Sequence, residues 1–313
     1  MLVTHSEFVI EGAGYQSVSQ NLATEITPPK GFQFAFKEFD MFPRAQTIGE
    51  GDEFTREKGS TRLQFVPFHT IGLRSYATEE EVMDTPLDTQ RLELNAIGAS
   101  ISLERDLFWM DSLYNATSGS NLTTFNNSVT LNPATSSNPD IGVVDVGVLL
   151  AVITYMKSPF NLTSTKIDLA NTFAEVEGLQ RLGKFRPTDV VVSGATMHRI
   201  LSTVELQSQN FWKNSQILDT GELRVPLLGV SFWVANVGYF ADDGRTWIDS
   251  DDVYVIDRNM GGGGTIGVRQ PLTLRNWETP QFRTMDFHVY TRLGFAVQNR
   301  RAIMRIESPG SGS

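Results

Sequence analysis

Residues 85–115, TPLDTQRLELNAIGASISLERDLFWMDSLYN, decide how the rest of the chain is read. Thr85 is a good N-cap, and Pro86 takes the first helical position, where its missing N–H costs nothing. Asp88 stands three residues after the cap, at capping-box spacing. One apolar stripe at helical spacing is Leu92, Ala96, Ala99, Leu103, Leu107, Met110 and Tyr114; beside it runs Leu94, Ile97, Ile101 and Phe108. Two adjacent stripes form an arc wider than a surface helix needs. The helix is therefore expected to pack on a sheet and on something else. About thirty residues span roughly 45 Å, more than a compact small domain is wide. Either the molecule is elongated or the helix is a strut between lobes. Leu103→Asp is the sequence-level probe of this reading, because burying an unpaired charge costs several kcal/mol.

With 313 residues the chain has room for about two domains, or one with large excursions. A composition of 40% hydrophobic and 20% charged residues is ordinary for a globular protein, and twenty Phe can anchor a sizeable core. The net charge of −10 argues against a basic surface that coats nucleic acid. With no Cys, disulfides, thiolate metal sites and a Cys nucleophile are excluded. No apolar run is long enough to cross a membrane, and MLVTHSEF lacks the basic and apolar regions of a signal peptide. The sequons at Asn115, Asn121, Asn126 and Asn161 are read as chance in a Thr/Asn-rich chain.

Residues 1–30 show no sustained period and read as an extended arm that needs a partner surface. Phe32, Phe34 and Phe36 alternate like a short strand. Residues 39–78 read as one long hairpin, with a charged, Gly-rich tip GEGDEFTREKGST and an outgoing arm from Arg62 to Ser75. Pro67 confines that arm to an edge or a free ribbon. A two-stranded ribbon is marginal alone in water, so it is expected to lie on another molecule. The Ser/Thr/Asn-rich stretch 117–140 reads as a loop, and loops this long are often functional. Residues 144–156 read as a helix, with a strand as the alternative, and residues 164–180 as an amphipathic helix. A buried strand ends at Ser193 and a helix follows from Ala195 to about Leu206, an α/β step. Short strands are expected at 223–228, 230–235, 252–257, 265–268 and 272–275. A long strand follows at 282–293, with Met285, Phe287, Val289 and Leu293 on one face and Thr284, Asp286, His288, Tyr290 and Arg292 on the other. A last strand is expected at 301–306. The acidic block 241–257 precedes an Arg-rich block 258–306, and the two are candidates for pairing between neighbouring subunits.

The candidate chemistry is sparse. Gly261 to Thr265 could suggest a phosphate cradle, but no Lys-Ser/Thr follows and the next segment reads as strand, not helix. His5, His69, His198 and His288 show no metal-ligand spacing. Asp242, Asp243, Asp249, Asp251 and Asp252 lack the calcium-loop pattern and read as a solvated turn. Ser193 lacks the Gly two residues before it that a nucleophile elbow requires. No catalytic, cofactor-binding or metal-binding residue is expected.

Several runs, in order, resemble the major capsid proteins of tailed double-stranded DNA viruses. Residues 79–114 resemble the family's spine helix, with its acidic lead-in and the triplet Glu104, Arg105, Asp106. Residues 186–201, RPTDVVVSGATMHRIL, resemble the strand–helix step that opens the axial domain. TGELRVPLLGVSFWVA at 220–235, DDVYVID at 251–257, Arg292 to Gly294 and Arg301 to Ile303 resemble its later landmarks. The resemblance implies an α+β tailed-phage capsid fold. Its parts would be an N-terminal arm (1–31), the start of a peripheral domain (32–44), an extended hairpin loop (45–78), a peripheral domain with spine helix 85–115 (79–160), an α/β axial domain (161–281), and return strands with a tail (282–313). It implies a non-enzymatic virion protein, assembled in the host cytoplasm, that forms hexamers and pentamers of an icosahedral shell. Such a shell encloses DNA without sequence-specific binding. Its partners would be copies of itself, with scaffolding, portal and decoration proteins as further candidates, and no membrane. Some members carry a long N-terminal scaffolding extension; here the arm begins at once, which implies a separate scaffold, none, or a removed prosegment. Some crosslink a hairpin Lys to a neighbour's Asn; Lys58 lies in the tip, but no Asn partner or catalytic acid is identified. The rivals are an encapsulin, a nanocompartment shell of the same fold, and a phosphate-binding α/β enzyme.

Overall fold

A computed structural model of the chain describes residues 17–27, 33–39, 61–78, 87–117, 128–130, 144–158, 185–202, 216–217, 223–225, 228–235, 252–279 and 284–307. Contacts divide the chain into two compact units. The first takes in Met1–Phe34, Val66–Ser112 and Thr265–Ala296; the second takes in Ala35–Phe65, Leu113–Gly264 and Val297–Ser313.

The first unit is built on a four-stranded sheet. Strands β1 (Thr24–Ile26), β11 (Thr265–Thr279), β12 (Thr284–Ala296) and β4 (His69–Thr78) stand in the order β1-β11-β12-β4. β12 runs antiparallel to both long neighbours, while β1 adds to β11 in parallel. The alternation expected along β12 is present from His288 to Leu293, whereas Asp286 on the opposite face is buried and Phe287 is only half-buried. Val289, Thr291 and Leu293 are buried, and His288, Tyr290 and Arg292 on the opposite face are half-buried. Leu293 pairs with His69, whose ring stacks on Phe108 of the long helix α2 (Leu87–Thr117) at 5.4 Å. The odd-numbered face of β12 is therefore the helix side.

β11 is one strand of fifteen residues, not the two short strands expected around Pro271. The chain absorbs that proline with register shifts between Val268 and Gln270 and between Gln270 and Thr273. Thr291 Oγ1 donates to the Gln270 carbonyl at 2.9 Å, so the irregular stretch keeps a partner.

Two glycines form a notch in this sheet. Gly267 and Gly294 are cross-strand partners, and a Cβ at either would meet the Phe34 ring at 2.9 Å. Phe34 belongs to β2 (Gln33–Phe39), where Phe34, Phe36 and Glu38 are buried and Gln33, Ala35 and Lys37 are exposed, the expected alternation. Its ring also lies 5.5 Å from that of Phe68. β2 pairs with β3 (Thr61–Pro67) as a two-stranded ribbon. The outgoing arm of the expected hairpin is thus two strands serving two sheets, since β3 joins the ribbon and β4 joins β12. The change falls at Pro67-Phe68, where proline supplies no ladder donor.

The second unit is built on a seven-stranded sheet, β5-β13-β10-β6-β9-β8-β7. These strands are β5 (Ser128–Thr130), β6 (Asp189–Val192), β7 (Gln216–Ile217), β8 (Leu223–Val225), β9 (Val230–Val234), β10 (Val253–Ile256) and β13 (Ile303–Glu307). The apolar runs of β6 and β10 are buried at every position, as a sheet covered on both faces requires. Helix α3 (Val146–Lys157) is capped by Asp145, which accepts from the Val148 N–H at 2.8 Å. Helix α4 (Gly194–Leu201) is capped by Ser193. Leu149, Val152 and Ile153 of α3 share one core with Ile200 of α4, Val190, Phe232, Val255 and Met304.

The lobe boundaries fall differently from those expected. α3 shares the core of the seven-stranded sheet rather than belonging with residues 79–160. β11 pairs with β12 and lies outside the 161–281 lobe. β13 pairs with β10 rather than returning beside β12. Residues 128–130, expected as loop, form β5 beside β13. The expected helix at 164–180, the Thr85 cap and the hairpin tip lie outside the described residues.

The helix itself also departs from the two-stripe reading. Leu94, Ile101, Leu107, Trp109, Met110 and Leu113 are buried, whereas Leu92 is 67% exposed and Leu103 is half-buried. Leu103→Asp is therefore a poor probe. Leu107→Asp places the charge at a fully buried position and should cost several kcal/mol. We expect insoluble Leu107→Asp subunits beside soluble Leu103→Asp; a soluble, cooperatively melting Leu107→Asp protein would contradict this packing.

Candidate functional site

The sequence-level candidates for chemistry resolve into structural roles. Gly261 and Gly264 adopt positive φ, 83° and 79°, and follow a short 3-10 turn, Arg258–Met260. The Gly262 N–H donates to the Asp257 carbonyl at 3.0 Å and the Gly264 N–H to the Gly261 carbonyl at 3.4 Å. A Cβ on Gly262 would meet the Ala302 carbonyl at 2.5 Å. The Gly261, Gly262 and Gly264 N–H groups donate to carbonyls of the adjoining turn and a strand follows, so these three donors close the chain upon itself. Asp257 organises it, accepting from the Arg186 N–H at 2.8 Å and the Met260 N–H at 3.3 Å.

Ser193 is an N-cap, accepting from the Thr196 N–H at 3.1 Å. His69 is stacked on Phe108, His288 lies 5.0 Å from the Tyr290 ring, and His198 is exposed on α4. Among the described residues no group of three or more His, Asp or Glu could hold a metal ion. His5, Asp242, Asp243, Asp249 and Asp251 lie outside the described residues. Asp252 is not part of a solvated turn: it is buried, 3.5 Å from Arg305.

Arg305 centres a buried polar cluster in the second unit. It pairs with Asp252 and Glu307, and its guanidinium lies 4.4 Å from the Tyr114 ring centre near the end of α2. Tyr254, its cross-strand partner, is fully buried, and its hydroxyl has no hydrogen-bond partner among the described residues. Burial first, then the Asp252 charge, pushes the Tyr254 phenol far above its ordinary range. Arg305 is held above its ordinary value by Tyr254, Asp252 and Glu307, against the opposing effect of its own burial. Part of the acidic and Arg-rich blocks is thus consumed inside one chain. Asp252 meets Arg305, while Arg258 lies 3.8 Å from Asp189 and Arg300 lies 2.6 Å from Glu38. Asp189 also accepts from the buried Trp233 indole at 2.9 Å and from the Thr188 hydroxyl at 2.5 Å.

Residues 17–26, within the described part of the expected arm, are tied to their own unit. Helix α1 (Val18–Leu22) sits over α2 through one carboxylate. Asp106 accepts from the Ser17 hydroxyl at 2.9 Å, the Val18 N–H at 2.9 Å and the Ser19 N–H at 3.0 Å. Val18 and Leu22 are buried, and Glu25 lies 3.5 Å from Arg105. Sequence reasoning marked the Glu104-Arg105-Asp106 run without finding this use of it. The signal was an acid beside a base on a helix face that was otherwise apolar.

Several exposed apolar side chains lie on ribbon and sheet. Leu63 and Phe65 of β3 are 54% and 60% exposed, and Leu73 and Tyr76 of β4 are exposed as well. β4 is an edge strand, so its outer backbone groups lack a sheet partner among the described residues.

No family model matches the sequence, and no curated protein matches it. Solved structures do match the fold. A virus-like particle from Pyrococcus furiosus aligns with a TM-score of 0.55 at 12% identity, over 98% of this chain and 99% of its own. The capsid of an empty GTA particle aligns at 0.56 and 11% identity, over 93% and 89%. The mature capsid of bacteriophage PhiM1 aligns at 0.55 and 11% identity, over 95% and 88%. The fold is that of the tailed-phage major capsid proteins.

Two variants test the polar anchors. In Asp106→Ala the Val18 and Ser19 amides should lose about tenfold or more of their hydrogen-exchange protection while β12 keeps its own; unchanged protection would show that Asp106 does not hold the segment. Arg305→Ala removes one guanidinium from a buried cluster with Asp252 and Glu307 and should cost about 3–5 kcal/mol in denaturant unfolding. Tyr254 gives a pH signature. Its folded pKa is raised, so its contribution is complete below the unfolded value of about 10 and is lost as pH climbs past it. Tyr254→Phe should change neutral stability little and flatten the alkaline loss; an unchanged alkaline slope would contradict this assignment.

Proposed function

We propose that this chain is a structural shell protein. Copies associate as hexamers and pentamers into an icosahedral capsid that encloses the double-stranded DNA of a tailed virus. The observation that carries the reading is the extent of the structural match. Capsid and virus-like-particle chains align over at least 93% of this chain and at least 88% of their own length. A role in assembly rather than catalysis suits the inward-turned glycine loop, the capped Ser193 and the ionisable groups spent on internal anchors.

On this reading the four-stranded unit is the peripheral lobe, with α2 as its spine helix. The seven-stranded unit is the axial lobe around which capsomers form. The ribbon and the residues beyond it are the extended hairpin that lies on a neighbouring subunit. The exposed Leu63 and Phe65 suit that role, since a two-stranded ribbon gains stability from a partner surface. Individually modest contacts become strong through repetition around a closed shell. The net charge of −10 suits a wall that confines DNA without holding it.

A nanocompartment shell is the second reading. It draws on the virus-like particle from Pyrococcus furiosus, matched over 98% of this chain, and on α1, a helix within a segment the sequence suggested was extended.

Purified protein should form closed shells by negative-stain microscopy. Discrete small particles under every assembly condition would overturn the proposal. Shells purified from a producing host should protect DNA from nuclease; shells filled instead with a cargo protein would favour the second reading. Deleting residues 49–61 should leave the subunit folded and unable to form shells. Normal assembly by that deletion would remove the hairpin from the mechanism.

A further inference from the structure

The long strands of the first unit differ in how far their partners lie along the chain. Only residues 280–283 separate β11 from β12, so these two close on each other locally as a hairpin. β4 has no such neighbour. Thr78 pairs with Thr284 and His69 with Leu293, partners on the order of two hundred residues away, and closing a loop of that length costs entropy before any contact rewards it. β12 is the only strand that pairs with β4 among the described residues. β4 touches α2 at its first residue, where the His69 ring stacks on Phe108, but its backbone ladder is with β12. Before β12 is in place, residues 69–78 have no strand to pair with.

The contact between β4 and β12 is closely fitted. Gly72 stands opposite Tyr290, and a Cβ on Gly72 would meet the Tyr290 Cβ at 2.9 Å and the Val289 carbonyl oxygen at 3.1 Å. Both obstacles lie on the main chain or one bond from it, so no rotamer change relieves them. Gly72 is exposed and its φ is not positive, so the close approach of β12 is what demands a glycine there. A slip of two residues would set Thr70 or Arg74 opposite Tyr290, where a Cβ does not fit at this spacing. β4 also follows β3 directly after Pro67-Phe68, so it is the foot of the hairpin's outgoing arm. Synthesis makes that foot early and its socket late, because residues 69–78 precede residues 284–296 in the chain.

We propose that the pairing of β4 with β12, fitted at Gly72 and Tyr290, is a late closing step of folding that gates assembly. The foot of the hairpin is anchored only once residues 284–296 have been made and have folded against β11. A chain that has not reached that point holds no fixed hairpin to offer another copy. The closing step stands on the sheet alone, while the gate rests on the shell reading for its setting. An unpaired β4 and the bare edge of β12 are also the surfaces on which partly folded chains pair wrongly, and the fit at Gly72 selects one register among those available.

The full-length protein, refolded from denaturant and given hydrogen-exchange pulses at increasing times, tests the step. Amides of β6 and β9, which pair with each other, and those shared by β11 and β12 should be protected first. Amides of β4 should follow about tenfold later or more, together with the β12 amides that face it. Protection of β4 as early as β6 and β9 overturns the closing step. Gly72→Ala should slow the β4 phase by about another tenfold and leave the β6 and β9 phase unchanged; a β4 phase indifferent to Gly72→Ala overturns the fit assigned to Gly72. Should that variant fail to fold, the order of protection in the wild-type protein still decides the closing step. In the same wild-type refolding mixture, light scattering from growing shells should rise only after β4 is protected. Scattering that rises before β4 is protected overturns the gate and leaves the shell reading intact. Absence of shells from wild-type protein overturns the shell reading, and the order of protection then decides the closing step alone.

Discussion

The register of β12 is the constraint on which the first unit depends. A strand with a long neighbour on each side has no freedom to slide, because a shift of one residue would exchange its two faces. Val289 and Leu293 would move outward, and His288 and Tyr290 would enter the core. The same register that buries the odd-numbered residues against the helix side lines up Arg275, His288 and Arg74 on the other face. Core and surface are thus two readings of one alignment. β11 shows how strictly it is held, since the strand takes irregularities around Pro271 rather than lose its pairing beyond it.

The second unit solves a different problem. Its central strands are buried at every position, so alternation cannot specify their pairing. Polar anchors are available to do so. Asp189 receives the Trp233 indole and the Thr188 hydroxyl, Asp257 receives backbone N–H groups from both sides, and Arg305 gathers two carboxylates and an aromatic face. A buried carboxylate that lost these donors would carry a large desolvation cost. An apolar sheet with such anchors discriminates between registers that apolar contact alone would leave nearly equal.

Much of this was legible in the sequence where a period was long. The long helix α2, one of the two readings of residues 144–156 and the faces of β12 from His288 to Leu293 follow from spacing, and β6, β9 and β10 from short apolar runs bounded by turn residues. The failures share a physical cause: they depend on partners far away along the chain. Ser17 to Ser19 look like an untethered arm until Asp106 is placed beside them. Ser-Val-Thr at 128–130 has no pattern of its own and becomes a strand only by lying along β13. Pro271 reads as a break because sequence does not reveal that a bulge will take it up. Leu92 and Leu103 matched a helical stripe, yet periodicity identifies which residues share a face and not how far along the helix the cover extends.

Phe34 and its two glycines bear on how such a fold drifts over time. The ring occupies volume that Gly267 declines to fill, and there the requirement is on the sum across two strands rather than on either residue. A lineage could shrink the ring, enlarge Gly267 and keep the fit with no identity at either position, whereas Gly294 is also held by the Pro67 carbonyl, 2.8 Å from where its Cβ would stand. Constraints held jointly in this way survive while the letters that meet them change. A chain can therefore retain an entire architecture at 11–12% identity to others that share it.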